Sequence, residues 1–389
     1  ESYSQGEYYL ASLADKIYLY PEGDIDFRGF RAELMFLKGT LEKLELQPEV
    51  IRHGKFKSAI EPFILDKMSP ENREQTQKFI SSLWNQFVKD IAESRKLSSE
   101  EVQKVADNLG ARSGQDALDA KFVDQLAYYD EVLDDLKKKT NLDSDDKVKF
   151  VDLKKYSHSL PAIKEFSAKK IAVVYANGEI VSGKGSDDQM GSEKIAEAIR
   201  KARLDTTIKA IVLRVNSPGG SALASDVIWR ETILAKKAKP LVVSMGDYAA
   251  SGGYYIACAA DKIVAQPTTI TGSIGVFGLL FNAQKMFNNK LGITFDSVRT
   301  GKYANIGSTF YPMTTEERAI IQESVEKIYD TFITHVSEGR KMDKSAVDSV
   351  GQGRVWSGTD AKALGLVDEI GGLDAAIEIA AKLAKLDKH

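Results

Sequence analysis

The feature that most constrains this chain is a long internal repeat. YYLASLADKIYLYP at 8–21 and YYIACAADKIVAQP at 254–267 agree at eight of fourteen positions without a gap. The match continues at a nearly constant offset of 244 to 247 residues. Arg52-His53-Gly54-Lys55-Phe56 aligns with Arg299-Thr300-Gly301-Lys302-Tyr303, and Met68, Glu71 and Arg73 with Met313, Glu316 and Arg318. Phe87, Arg95 and Lys96 align with Phe332, Arg340 and Lys341. Ser113-Gly114 and Val123-Asp124 align with Ser357-Gly358 and Val367-Asp368. Solenoid repeats run about 20–50 residues, so an offset this long means two tandem homologous domains.

Copy two opens near Lys169 with KKIAVVYANGEIV, a β-branched run that reads as a strand. Strand, helix and strand then precede Tyr254. Copy one has no such lead-in before Tyr8, so the first copy reads as truncated at its N-terminus, as in a fragment or proteolytic product. The expected division is 1–140 for copy one, 141–168 for a charged, aperiodic connection, and 169–389 for copy two. Without opening strands, the face bearing Tyr8, Tyr9, Leu10 and Leu13 is expected to need cover from a companion fragment or a neighbouring subunit.

IKAIVLRVN (208–216) and PLVVSMG (240–246) are apolar runs of strand length, and ALASDVIWRETILAKKA (222–238) between them has helical spacing. ASGGYYIACAA opens another helix, and DKIVAQP (261–267) is a further strand. The alternation predicts an α/β fold of parallel βαβ units. Segments 70–95 and 315–340 read as amphipathic covering helices, and 373–386 as a packing helix.

Net charge is −3 with both signs mixed, so no basic surface points to nucleic acid. The lone Cys258 excludes an intrachain disulfide, a redox pair and a multi-Cys zinc site. No metal or cofactor is expected. No apolar run reaches the roughly 18 residues of a bilayer span. The opening ESYSQGEYYLAS is no signal peptide, so the chain is expected to be soluble, with any membrane anchor in a segment outside it.

Two glycine-rich turns follow consecutive strands: Asn216-Ser217-Pro218-Gly219-Gly220-Ser221 and Ala249-Ala250-Ser251-Gly252-Gly253. Ligands of parallel sheets sit at the carboxyl ends of strands. Backbone N–H groups of Gly220 (or Gly219) and Gly252 there suit a developing oxyanion, and Ser251 is the candidate nucleophile. The plainer readings are a simple turn for the first segment and an N-cap for Ser251.

A serine nucleophile needs a base. Of the four histidines, His389 is terminal, His158 lies in the connection and His335 in a covering helix with polar surroundings. His53 is near a motif, but no acidic residue has a claim to orient it. Lysine is the alternative, provided burial lowers its pKa. The repeat selects one. Lys57 stands where copy two has Ala304, and Ser251 where copy one has Gln5, so each copy holds what the other lacks. Lys55 fits a solvated surface lysine better, since both copies carry it.

GKFKSAIEPF, NSPGGS, MGDYAASGGYY and TGSIGVFG, in that order, resemble the long two-copy form of the bacterial signal peptide peptidase A family, peptidase family S49. The resemblance covers essentially the whole chain. It implies a Clp-protease/crotonase-like fold, a repeated β-β-α spiral in two tandem copies. It implies Ser251 as nucleophile, Lys57 as general base, and Ser273 as the hydroxyl that orients the lysine amine. It also implies a serine endopeptidase without cofactors that degrades cleaved signal peptides. The setting implied is the extracytoplasmic, periplasmic side of the inner membrane, and the assembly a homotetramer. Two rivals stand beside it: a crotonase-like acyl-CoA enzyme, which needs a carboxylate base, and a catalytically silent oligomeric scaffold.

Overall fold

A computed structural model describes residues 1–159 and 169–386, so the call on His389 and the 160–168 part of the connection lie outside the described residues. The chain forms two compact units, Glu1–Arg31 with Leu83–Phe166, and Ala32–Ser82 with Ser167–His389. These units cut across the two sequence copies: residues 32–82, from copy one, belong with copy two.

The larger unit is built, among the described residues, on a seven-stranded sheet. Its central strand, Leu241–Ala250, runs parallel to Ile208–Ser217 on one edge and to Lys262–Ala265 on the other, and its C-terminal end pairs with Ile270–Gly272. Lys170–Asn177 extends the sheet in parallel beyond Ile208–Ser217, and Val355–Ser357 joins antiparallel to Ile270–Gly272.

Both faces of the sheet are covered, which is why its strands read as continuous apolar runs. Ile211, Leu213, Val243 and Met245 point into one core with Ile228 and Tyr254. Ala210, Val212, Val242 and Val264 point into the other, against Ala376 and Ala380 of helix Leu373–Leu383. The expected strands and helices are present, with the 240–246 strand running on to Ala250. That extension passes an irregularity between Met245 and Ala249 and delivers the chain to Ser251. A separate antiparallel pair joins Gln47–Arg52 of copy one to Phe277–Asn282 of copy two.

The smaller unit packs helix Gln5–Ala11 and residues from Leu83 onward around an aromatic core. The bare face expected at Tyr8 is not found. Tyr8 is fully buried, stacked on Phe122 with ring centroids 4.9 Å apart, and only Leu10 and Leu13 remain exposed, at 69% and 77%. Aromatic side chains of the same unit supply the cover. In the expected connection, helix Tyr129–Thr140 ends at a left-handed Asn141 and a short exposed helix, Leu153–Ser159, follows.

Candidate active site

The site lies within the larger unit, where the strand Leu241–Ala250 gives way to the helix Gly252–Ala257. Ser251 makes this corner with φ 54° and ψ −120°. A non-glycine residue held there is strained, and such strain persists only where the surroundings impose it. They do: the Ser251 N–H donates to Gly272 O at 2.9 Å, tying the corner to the neighbouring strand. The side chain makes no capping bond to the helix, so the N-cap reading fails and the hydroxyl is turned elsewhere.

It meets Lys57, whose Nζ lies 3.2 Å from Ser251 Oγ. The same Nζ is 2.9 Å from Ser273 Oγ and 3.2 Å from the Ser273 carbonyl. Lys57 is only 5% exposed, whereas Lys55, two residues earlier, faces solvent. Burial lowers the Lys57 amine from its ordinary 10.5 to about 8. A neutral amine has two N–H donors and one lone pair, which fits these three neighbours. In that state two N–H groups can serve Ser273 and leave the lone pair on the side of the Ser251 hydroxyl.

Ser273 is also a corner residue with positive φ, 48°. Its N–H donates to Arg354 O at 2.7 Å, and its hydroxyl to Gly353 O at 3.3 Å. Thus it satisfies backbone and touches the amine together. Gly353 itself backs directly onto Lys57: a Cβ there would fall 2.6 Å from the Lys57 Cβ.

Of the three expected oxyanion donors, Gly219 is bonded within its own turn. The Gly219 N–H is engaged by Ser217 Oγ at 3.2 Å, and its φ of 105° lets the turn press against Ser251. A Cβ on Gly219 would sit 2.8 Å from the Ser251 Cβ. The turns bearing Gly220 and Gly252 lie against one another: a Cβ on Gly252 would lie 3.2 Å from Gly220 N.

The histidines stand elsewhere. His53 Nδ1 bonds Glu326 at 2.5 Å, and its ring stacks on Tyr329; neither residue lines the cleft. His335 is not in polar surroundings as expected: it stacks on Trp229, with Asp226 3.5 Å from Nε2. Both histidines have a carboxylate partner that sequence reading did not find, because each pairing joins distant segments or separate helices. Burial pushes the Cys258 thiol up to about 12, leaving it a packing residue. Among the described residues no group of three or more His, Cys, Asp or Glu is placed to hold a metal ion. No helix among them is long and apolar enough to cross a membrane.

Ser251, Lys57, Ser273 and the two glycine turns open onto one cleft of about 670 Å³. Sequence reading missed much of its wall: Leu34, Phe56, Phe79, Phe277 and Val355 are apolar, and Asn72 and Gln75 are neutral polar. Their types look unremarkable in sequence, and only the fold brings them together.

A doubly covered parallel sheet with a strained serine at a strand-to-helix corner is a Clp-protease-like architecture, and the Clp protease family profile matches residues 164–270. The profile of Peptidase family S49 matches residues 1–143 and 233–387, and the chain belongs to that family. It is 42% identical to Protease 4 of Salmonella typhi over 99% of this chain and 63% of that protein. It is 39% identical to Protease 4 of Haemophilus influenzae, over 98% of this chain and 64% of that protein. The chloroplastic serine protease SPPA of Arabidopsis thaliana is 34% identical over 98% of this chain and 57% of its own length. The chain therefore spans less than two thirds of each of these relatives.

Proposed function

We propose that this chain is a serine endopeptidase in which Ser251 is the nucleophile and Lys57 the general base. The observation that carries the reading is the buried Lys57 amine within hydrogen-bond reach of a strained serine that caps nothing. Lys57 Nζ takes the Ser251 proton as Oγ attacks the scissile carbonyl. The oxyanion is received by the N–H groups of Gly220 and Gly252. The ammonium, held by Ser273, then returns its proton to the leaving amine. Water, activated by the same lysine, cleaves the acyl-enzyme and restores the hydroxyl. Glu179 also lines the cleft, but among the described residues the side chain bonded to Ser251 Oγ is Lys57 and not a carboxylate, which favours this reading over an acyl-CoA enzyme with a carboxylate base.

The apolar wall of the cleft supports peptides with apolar side chains as substrates, which is the character of the core of a signal peptide. On the family resemblance, we place the activity at the extracytoplasmic face of a bacterial inner membrane, acting on cleaved signal peptides. Assembly is proposed as a homotetramer, with support from an unequal pairing. Gln47–Arg52 of copy one pairs with Phe277–Asn282 of copy two, while the repeat counterparts, 294–299 and 31–36, form no strand. In the proposed tetramer that second pairing would form between neighbouring chains and close a ring.

The experiment is labelling with a fluorophosphonate, followed by peptide mapping and by hydrolysis of a signal-peptide-like apolar peptide. Modification at Ser251, with hydrolysis lost in proportion, is the expected result. Undiminished hydrolysis after complete labelling overturns the reading. Light scattering giving a monodisperse monomer overturns the tetramer.

A further inference from the structure

We propose that Gln75 is a positioning residue for Lys57, its side-chain amide holding the chain at Phe56 and Ser58, on both sides of the lysine. The inference rests on the Ser251–Lys57 reading and adds to it what keeps the amine in place.

Gln75 lies in the helix Pro70–Arg95, a place where a polar residue ordinarily faces water, yet it is 4% exposed. A buried amide is costly unless bonded. Here its Nε2 donates to Phe56 O at 3.0 Å and to Ser58 Oγ at 2.5 Å. Its Oε1 accepts from Val355 N at 3.4 Å. The two donors thus grip the residues immediately before and after Lys57, and the acceptor grips the 353–355 segment. That segment holds the other half of the site, because Arg354 O and Gly353 O take the two bonds from Ser273. Phe56 N closes the clamp by donating to Gln352 O at 3.1 Å. One amide therefore ties the lysine-bearing arm to the loop carrying the hydroxyl that receives its amine.

The lysine stem has four rotatable bonds, so the reach of Nζ is set by how its backbone is anchored. Misplacement of a reacting group by about 1 Å costs about a hundredfold in rate. The repeat supplies an internal control. The alignment through Arg73 and Arg318 places Ile320 at the Gln75 position of copy two, 36% exposed, in the copy that has Ala304 in place of the lysine. The buried amide occurs where there is a lysine to hold.

The test is Gln75→Met, which keeps the length of the side chain and removes its hydrogen bonds, with Ser58→Ala as the milder variant that deletes one acceptor. For Gln75→Met, kcat on an apolar peptide is expected to fall ten- to hundredfold with KM changed less than about threefold. The acidic limb of the kcat/KM profile should move to higher pH, because a loosened arm admits water and favours the charged amine. Ser58→Ala should move both in the same direction by less, and it reports if Gln75→Met fails to fold. Carbon NMR titration of the Lys57 amine reads the same shift without turnover. An unmoved titration with unchanged kcat overturns the proposal. So does a rise in KM alone, which would make Gln75 a substrate contact, or a loss matched by the fall in fluorophosphonate-titrated sites with the pH limb in place. Hydrolysis persisting in Ser251→Ala would instead sink the peptidase reading, and the NMR titration would still judge Gln75.

Discussion

The two copies can be compared corner for corner, because the smaller unit repeats the strand pairing of the larger. Tyr3–Ser4 pairs with Ile25–Asp26 in the register in which Ala249–Ala250 pair with Thr271–Gly272. Gln5 thus stands for Ser251, and Phe27 for Ser273. In copy one the corner is relaxed. Gln5 is the first residue of its helix, Ser4 caps that helix, and neither Gln5 nor Phe27 has positive φ. The Gln5 amide oxygen accepts from Arg28 N and Gly29 N, both at 3.0 Å, so the side chain is spent on its own loop. Phe27 is 2% exposed, edge-on to Tyr8 and Phe122, filling with a ring the place where copy two has a hydroxyl. Around these corners the scaffold is the same. Tyr8 and Tyr254 each donate to a backbone carbonyl, of Phe122 and Leu366, and Arg95–Asp124 is matched by Arg340–Asp368. The fold does not require a strained corner. Of the two corners only that of Ser251 is strained, and it faces Lys57, as the proposed chemistry requires.

The comparison breaks most sharply if either half of the pair is dispensable. Ser251→Ala and Lys57→Ala, the latter giving copy one the residue copy two has at 304, are each expected to lower kcat by about 10⁴-fold or more. The double variant should be no worse than either single one, since the groups act as one unit. Steady-state kinetics on purified variants with unchanged far-UV circular dichroism checks this. Appreciable turnover by Lys57→Ala would show that the division of residues between copies is accidental.

A second prediction follows from the lysine's burial. The base works only when neutral, so kcat/KM should rise with pH and level off near pH 8, where burial places the amine. Well below that the rate should change about tenfold per pH unit, hence about a hundredfold between pH 5.5 and 7.5. A flat profile across this range would remove Lys57 as the base. The same burial has a stability cost, with a sign that can be worked out. The folded-state pKa lies below the unfolded value, so the unfolded chain binds more protons between about pH 8 and 10.5 and stability rises with pH across that window. Below it the full penalty for burying the charge is present. Lys57→Met should therefore be inactive and more stable at pH 7 by about 2 kcal/mol, read by urea denaturation. Lower stability would mean that the three bonds to the amine outweigh its desolvation.

Much of this was readable before any coordinates, and for a physical reason. A duplicated chain carries its own reference, so Lys57/Ala304 and Ser251/Gln5 stand out as paired departures from a repeat. The buried strands of the sheet were equally plain, because both faces are covered and their apolar runs are unbroken. What could not be read depended on contacts distant along the chain. Residues 32–82 join copy two's unit through partners such as Gln352 and Val355, some three hundred residues from them. Gln75 looks like any polar residue on a helix until the fold closes over it. The choice between Gly219 and Gly220 turned on one hydroxyl, Ser217 Oγ, which takes the Gly219 N–H. The cover over Tyr8 was misjudged because Phe122 lies 114 residues away, beyond the reach of any local pattern.

The smallest expected effect tests whether the shared scaffold is shared in energy as well as geometry. Tyr8 and Tyr254 are fully buried, and each donates its hydroxyl to a backbone carbonyl at 2.9 Å, inside its own unit. Tyr8→Phe and Tyr254→Phe each delete one oxygen, create little cavity and leave one buried carbonyl without its donor. Each should cost about 1 kcal/mol, as a like-for-like substitution at matched positions of the repeat. The melting shifts should nevertheless differ. The unfolding entropy scales with the size of the cooperative unit, so 1 kcal/mol moves a domain of 60–100 residues by about 4–8 °C and one of 150–250 by about 2–4 °C. Tyr8 lies in the smaller unit, so Tyr8→Phe should lower that unit's own transition by roughly twice the shift that Tyr254→Phe produces in the larger. Differential scanning calorimetry of the two variants reads both transitions at once. Equal shifts in a single transition would show that the two compact units unfold as one.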